Sequence, residues 1–280
     1  MRIGGAADQY LAGLSCAGTE RQYRRILGMF ASMCEAAGRC ELESVTVADV
    51  LAYKSAQAHL APNTRTHRLA VVRSFLNTAE AVGWIPRSPA AHLKMSKPHH
   101  RPSSGLTVEQ QQALVAAAES PRDRVLMTVL IATGCRIGEI CAARVADFDG
   151  GQLRLDGKGG RERFVPLAGD VAALLAHHAS GRAPDAPLVG GRKGGLTTRQ
   201  GQRIFRACCR RAGIAERGPH QARHAAAQRW VVGGVPIMVV SALLGHSRVS
   251  TTVDYYLHAS RDLMEQAVAG DRLWVSPPAA

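Results

Sequence analysis

The chain is poor in acidic residues, in aromatic rings and, through its second half, in lysine, and each scarcity narrows what it can be. Only 22 Asp and Glu oppose 35 Lys and Arg among 280 residues, which leaves a net charge of +13 and a pI near 10.0. Such a balance suits a polyanionic partner, nucleic acid first among them. No apolar run is long enough to cross a bilayer: the longest, 231–245, is interrupted by Gly233, Gly234, Pro236 and Ser241. The seven cysteines are odd in number and contain no Cys-x-x-Cys pair. Without a charged-then-apolar leader, this is the expectation for a reduced, cytoplasmic protein with no disulfide framework, no zinc knuckle and no membrane attachment.

What is present is spread evenly. Residues 1–105 carry 13 basic and 7 acidic side chains and residues 106–280 carry 22 and 15, so the excess is +6 and +7. Two domains that both touch phosphate, closing on it as a clamp, fit that distribution better than a basic tail does. The length also suits two domains.

The first half has a helical apolar period. Thr19 followed by Gln22 has the form of a capping box opening a helix that runs to about Ala37. A second helix is predicted from near Thr46 to before Pro62, and a third from about Asn63 to Val82, stopped by Gly83 and Pro86. The exposed face of the third would carry Arg65, Arg68 and Arg73, either as a solvated face or as a nucleic-acid contact. A stretch with two prolines, Ser-Ser-Gly and basic side chains, including Lys97 and Arg101, then marks a linker. The expected organisation is a helical domain over 1–94, a basic linker over 95–105 and a second domain over 106–280.

The second domain opens on the capping box Thr107–Gln110, and another helix spans Arg122 to Thr133. The period then changes. Residues 152–156 and 162–167 alternate polar and apolar around Gly157-Lys-Gly-Gly160, a β-hairpin signal. Helices return over 196–212, 220–232 and 235–244, so the class is mainly α with a small hairpin, α+β.

Four segments carry chemistry. In Thr133-Gly-Cys-Arg136-Ile-Gly-Glu139 a glycine ends one helix and Arg136 starts the next, either as an ordinary corner or as an anion site. At the hairpin tip, Lys158 sits among glycines; only Lys158 and Lys193 are lysines beyond residue 105. Neither that tip nor Gly190-Gly-Arg-Lys-Gly-Gly195 matches Gly-x-x-x-x-Gly-Lys-Ser/Thr, so ATP use is not indicated. His220-Gln-Ala-Arg223-His224 spaces two histidines for zinc, but Gln221 stands where a zinc protease needs glutamate, and no third ligand follows. On a helix His220 and Arg223 share a face, which suits a phosphodiester. Finally, Leu244-Gly-His246 precedes Thr251-Thr252 and the adjacent pair Tyr255-Tyr256.

Together the four segments resemble the tyrosine recombinase, or phage integrase, family over essentially the whole chain. Thr-Gly-x-Arg-x-x-Glu matches Thr133 to Glu139. The hairpin lysine matches Lys158 in a Lys-Gly…Arg-x-x-Pro-Leu context ending at Pro166-Leu167. His-x-Leu-Arg-His matches His220 to His224 with Ala222 for leucine, and Leu-Gly-His…Thr-Thr-x-x-Tyr matches Leu244 to Tyr255. The resemblance implies that Tyr255 attacks a DNA phosphodiester to form a 3′-phosphotyrosine. Arg136 and Arg223 would stabilise the transition state, Lys158 would protonate the leaving 5′ oxygen, His220 would act as acid/base partner, and His246 would bond a phosphate oxygen. No metal or other cofactor is expected. Tyr256-Leu-His258 also fits a Tyr-x-His ending, though the spacing from His246 favours Tyr255. Glu139 is expected to support its helix rather than react.

The resemblance further implies double-stranded DNA with inverted-repeat core sites and a homotetramer on two duplexes. A helical core-binding domain beginning within the first twenty residues or so implies the simple type without an arm-binding domain. An integrase of a phage or mobile element is the first expectation, a Xer-type dimer resolvase the second, and a non-catalytic DNA binder of the same fold the third.

Overall fold

In a computed structural model, the described residues are 1–95, 105–157, 160–191, 194–246 and 253. They fall in two compact units, Met1–Arg101 and Pro102–Ala280. The fold is mainly helical with small antiparallel strand pairs. No described helix is long and apolar enough to cross a membrane.

The first unit contains α1 (Ile3–Ala12), α2 (Ala17–Ala36), a 3-10 turn (Leu42–Ser44), α3 (Val47–Ala56) and α4 (Pro62–Ala81). Ile3, Phe30, Val72, Phe75 and Leu76 are fully enclosed. Phe30 meets Tyr53 edge-on at 5.4 Å between ring centres, and Tyr10 meets Phe75 at 5.6 Å, arrangements that favour the ring quadrupoles. Thr46 caps α3 reciprocally with Asp49: the Asp49 amide donates to the Thr46 hydroxyl at 3.4 Å, and the Thr46 amide donates to the carboxylate at 2.7 Å.

Three expectations change here. The sequence pattern did not mark α1, whose glycines Gly4 and Gly5 depress helix propensity. The Thr19–Gln22 pair caps nothing, because α2 already starts at Ala17 with Cys16 at its N-cap and Thr19 inside the first turn. On α4, Arg65, Arg68 and Arg73 are half-buried rather than freely exposed. Arg68 donates to Gln57 Oε1 at 2.5 Å and Arg73 to the Leu93 carbonyl at 3.3 Å.

The second unit is built on α6 (Pro121–Thr133). Val125, Leu126, Met127, Val129 and Leu130 are all buried, so this helix is apolar on nearly every side, as a central helix must be. Around it are α5 (Val108–Ala116), α7 (Ile137–Ala142), α8 (Gly169–Ala179), α9 (Thr198–Arg211), α10 (His220–Val232) and α11 (Ile237–Leu244). β1 (Gln152–Asp156) and β2 (Glu162–Pro166) form the hairpin, in register from Gln152 opposite Pro166 to Asp156 opposite Glu162. β3 (Gly190–Gly191) and β4 (Gly194–Gly195) make a second, minimal pair.

The capping box Thr107–Gln110 forms as the sequence indicates. The helix expected at 196 starts at Thr198, because Thr197 and Gln200 make a capping box of their own. The helix expected at Val235 starts at Ile237, after Pro236. α8 is not among the helices expected from the sequence, although Val171, Leu174 and Leu175 carry its apolar spacing.

Candidate active site

Two helix ends and a hairpin meet to form the site. α6 stops at Gly134, whose left-handed backbone (φ 58°) turns the chain sharply toward α7. A Cβ at Gly134 would lie 2.9 Å from Leu244 Cδ2 and 3.0 Å from Ala226 Cβ, so only glycine lets α10 and α11 approach this corner. The turn places Arg136 at the N-cap of α7. α11 ends similarly at Gly245 (φ 66°), which delivers His246.

A helix leaves its last carbonyls without intrahelical donors. At the end of α11 three arginines supply them in succession. Arg163 Nε donates to the Leu243 carbonyl at 2.9 Å, Arg223 Nη2 to that of Leu244 at 2.6 Å, and Arg136 Nη2 to that of Gly245 at 3.3 Å. The negative end of the helix dipole favours this cluster of cations. Arg223 also donates to the Gly134 carbonyl at 3.0 Å and is only 5% exposed. Among the described residues, Arg136 and Arg223 therefore each commit two of five N–H donors and leave three uncommitted.

Among the described residues, Glu139 is the carboxylate that pairs with two of these arginines. Arg136 donates to it from Nη1 at 2.8 Å and from its backbone amide at 2.8 Å. Arg163 donates to both oxygens, at 3.0 and 2.7 Å. Burial alone would raise the Glu139 pKa, but the hydrogen bonds from Arg163 and Arg136 outweigh it and hold the carboxyl below its ordinary value.

A cleft of about 390 Å³ opens over this cluster, lined among others by Arg136, Glu139, Asp156, Gly157, His220 and Arg223. One guanidinium and three imidazoles around it are pushed toward neutrality. Burial, then Arg136, lowers Arg223 to about 10. Burial, then Arg223 and Arg136, lowers His246 to about 4. His220 keeps part of its surface in solvent, yet crowding around its ring, then Arg223 and Arg136, lowers it as well. His224 is lowered by burial, His220 and Arg223. The shifts disfavour the charged form of the imidazoles, while Arg223, at about 10, stays cationic at neutral pH, a setting that favours an anion.

Of the residues singled out by sequence, Arg136, His220, Arg223 and His246 come together here. Lys158, Tyr255, Tyr256, Lys97 and Arg101 lie outside the described residues, as does most of the linker, 96–104. Gly157, immediately before Lys158, lines the cleft. In the sequence Arg163 stands out only as part of the Arg-x-x-Pro-Leu context. Its signal was a charge two residues from buried Val165 in one strand, hence on the same inward face. Among the described residues no group of three His, Cys, Asp or Glu side chains could hold a metal ion.

Residues 105–262 match the model of the phage integrase family. The chain is 32% identical over 277 residues to the tyrosine recombinase XerC of Mycobacterium bovis BCG, covering 90% of this chain and 92% of that protein. It is 34% identical over 282 residues to XerC of Mycobacterium sp. strain JLS, covering 91% and 93%. In fold it is similar to lambda integrase residues 75–356 in a dimer bound to a COC′ core site (TM-score 0.73, 18% identity, 90% of this chain and 97% of that one). It is also similar to XerH bound to difH substrate (TM-score 0.71, 19% identity, 91% and 79%).

Proposed function

Because the chain belongs to the phage integrase family of tyrosine recombinases, enzymes that cut and rejoin DNA, we propose that it performs site-specific recombination through a 3′-phosphotyrosine on Tyr255. The observation that carries this reading is the pair Arg136 and Arg223, anchored to main-chain carbonyls with donors to spare above a cleft.

A phosphodiester resists attack because its non-bridging oxygens are anionic, and the pentacovalent transition state adds charge to them. Two fixed guanidinium forks stabilise that charge with little reorganisation. The Tyr255 oxygen bonds to phosphorus as the bond to the 5′ oxygen breaks, and Lys158 gives that oxygen its proton. His220, neutral by its depressed pKa, accepts the phenolic proton. His246, also neutral, donates one N–H to a non-bridging oxygen. Attack by another strand's 5′-hydroxyl reverses the step and conserves bond energy without ATP.

Both units would grip the duplex, with Arg65, Arg68, Arg73, Lys97 and Arg101 meeting backbone phosphates of inverted-repeat core sites. Four protomers would pair two duplexes. The exposed apolar side chains of Val232, Met238 and Val239 support a protomer contact, to which the tail over 263–275 would contribute. Deletion after Ala259 should weaken cooperative DNA binding; unchanged tetramer assembly would refute that contact.

The Xer-type role, resolution of chromosome or plasmid dimers in the bacterial cytoplasm, is favoured over integration of a mobile element by identity to XerC proteins along nearly the full length of both chains. Mapping covalent adducts on genomic DNA, then reproducing them on a nicked suicide duplex, tests the whole reading. The unaltered chain and Tyr256→Phe should form the adduct and Tyr255→Phe should not. An adduct with Tyr255→Phe moves the nucleophile to Tyr256, and none with any form leaves a DNA-binding protein. Adducts at the ends of an inserted element would restore the integrase role.

A further inference from the structure

Glu139 and Arg163 take no part in the chemistry above, yet no charges near it are more completely paired. Glu139 is 7% exposed, and its two oxygens accept four hydrogen bonds, two from Arg136 and two from Arg163. Four donors saturate a carboxylate. Arg163 reaches it from β2, holds the Leu243 carbonyl with Nε and packs beneath Gly245, where a Cβ would lie 3.0 Å from its Cδ. Its side chain is 11% exposed, against 36% for Arg136.

The charges decide what that pairing does. Arg136 and Arg163 share a single negative charge, so the group keeps a net positive one. Without Arg163, Glu139 and Arg136 would form a neutral pair. Glu139 would then have two open acceptor positions, and the natural response of an arginine beside a free carboxylate is a bidentate fork. That fork would take donors that Arg136 otherwise holds toward the cleft. We propose that Arg163 is a positioning residue, the counter-ion that occupies Glu139 so that the donors and charge of Arg136 stay available to the DNA phosphate.

The phosphate's belonging to DNA rests on the recombinase reading; the effect on anion binding does not. The test therefore begins with inorganic phosphate alone, titrated into the full-length chain and followed by the His246 ring resonances. Arg163→Gln should weaken phosphate binding about tenfold, the order expected for losing one nearby charge in a partly buried site. Arg163→Lys, which keeps the charge but loses the fork, should fall between. Adding Glu139→Gln to either variant should restore affinity to within about threefold of the unaltered chain, because the competing carboxylate is gone. A purely structural role predicts the reverse, with the double variants as weak as the single ones or weaker. Should Arg163→Gln not fold, the Arg163→Lys pair carries the same comparison.

Single-turnover cleavage of the mapped suicide duplex at saturating DNA should rank the variants identically, with duplex affinity little changed. Full phosphate affinity in Arg163→Gln, or no recovery on adding Glu139→Gln, overturns the inference. Absence of adduct from the unaltered chain overturns the recombinase reading instead and leaves the phosphate result standing.

Discussion

Two gatherings of arginines, on α4 of the first unit and at the end of α11 in the second, are built differently. On α4, Arg65, Arg68 and Arg73 follow one another along a single helix, and the bonds they make among the described residues are few: Arg68 to Gln57, Arg73 to the Leu93 carbonyl. In the second unit, Arg136, Arg163 and Arg223 come from a helix start, a strand and the first turn of another helix, and each is tied to one of three successive carbonyls. A guanidinium on a half-buried helix face can follow a phosphate wherever it lies. One fixed at two points presents its remaining donors to a single place, which is what stabilising a transition state requires. Charge count does not separate the two cases; preorganisation does.

That contrast can be broken most sharply at Arg223. Arg223→Gln should cut the cleavage rate about 100- to 1000-fold, as loss of a preorganised transition-state donor does. It should also lower the melting temperature, because the Gly134 and Leu244 carbonyls lose their donor at about 1–3 kcal/mol for each buried group left unmet. Arg223→Lys should rescue little, since a point charge cannot span both carbonyls. Cleavage within threefold of the unaltered rate in Arg223→Gln would erase the distinction between the two regions.

Gly245→Ala should come next. Left-handed backbone costs an alanine about 1–2 kcal/mol, and the new methyl would press on Arg163. Thermal denaturation should show the loss and cleavage should fall with it; an unchanged melting temperature would mean the turn relaxes freely.

The third effect is one of pH. His246 has its pKa lowered from 6.5 to about 4 by burial and by Arg223 and Arg136. The unfolded chain takes up its proton as pH falls through 6.5, while the folded chain resists until about 4. The contribution is thus fully present above 6.5 and is lost progressively between 6.5 and 4. Melting temperature against pH should decline across that window, and His246→Asn should flatten the decline. No difference between the two curves would place the acid sensitivity elsewhere.

The smallest effect belongs to α4. Arg65→Ala should weaken DNA binding a few-fold and reduce the slope of log affinity against log salt by about one, with the cleavage rate at saturating DNA unchanged. A fall in that rate would show that the first unit also shapes the chemistry.

The sequence made the helical class, the hairpin and four members of the site legible because each leaves a side-chain signature: a period, a glycine stop, an ordered arginine or histidine. α1 escaped because two glycines blur a ten-residue helix. Thr19 misled because a capping box is only a pattern of residue types, and Cys16 had already begun the helix. The deeper omission is the anchoring of the arginines. Leu243, Leu244 and Gly245 act there through carbonyls, which every residue possesses, so no choice of side chain announces them. Glu139 was recognised as a support for its helix, but its bond to Arg163 joins positions 24 apart through folding alone.

Anchoring by main chain has a consequence for how this protein can vary. The Leu243 and Leu244 side chains can drift through evolution, answering only to packing, while the acceptors they carry stay the same. Shifting the register is another matter. One residue inserted within α11 rotates everything after it by about 100°, so all three acceptors would turn away together. Apart from Gly245, which the left-handed turn requires, and the packing of Leu244 on Gly134, the end of α11 is therefore more tolerant of spelling than of length, and neutral change there should come as substitutions rather than insertions and deletions.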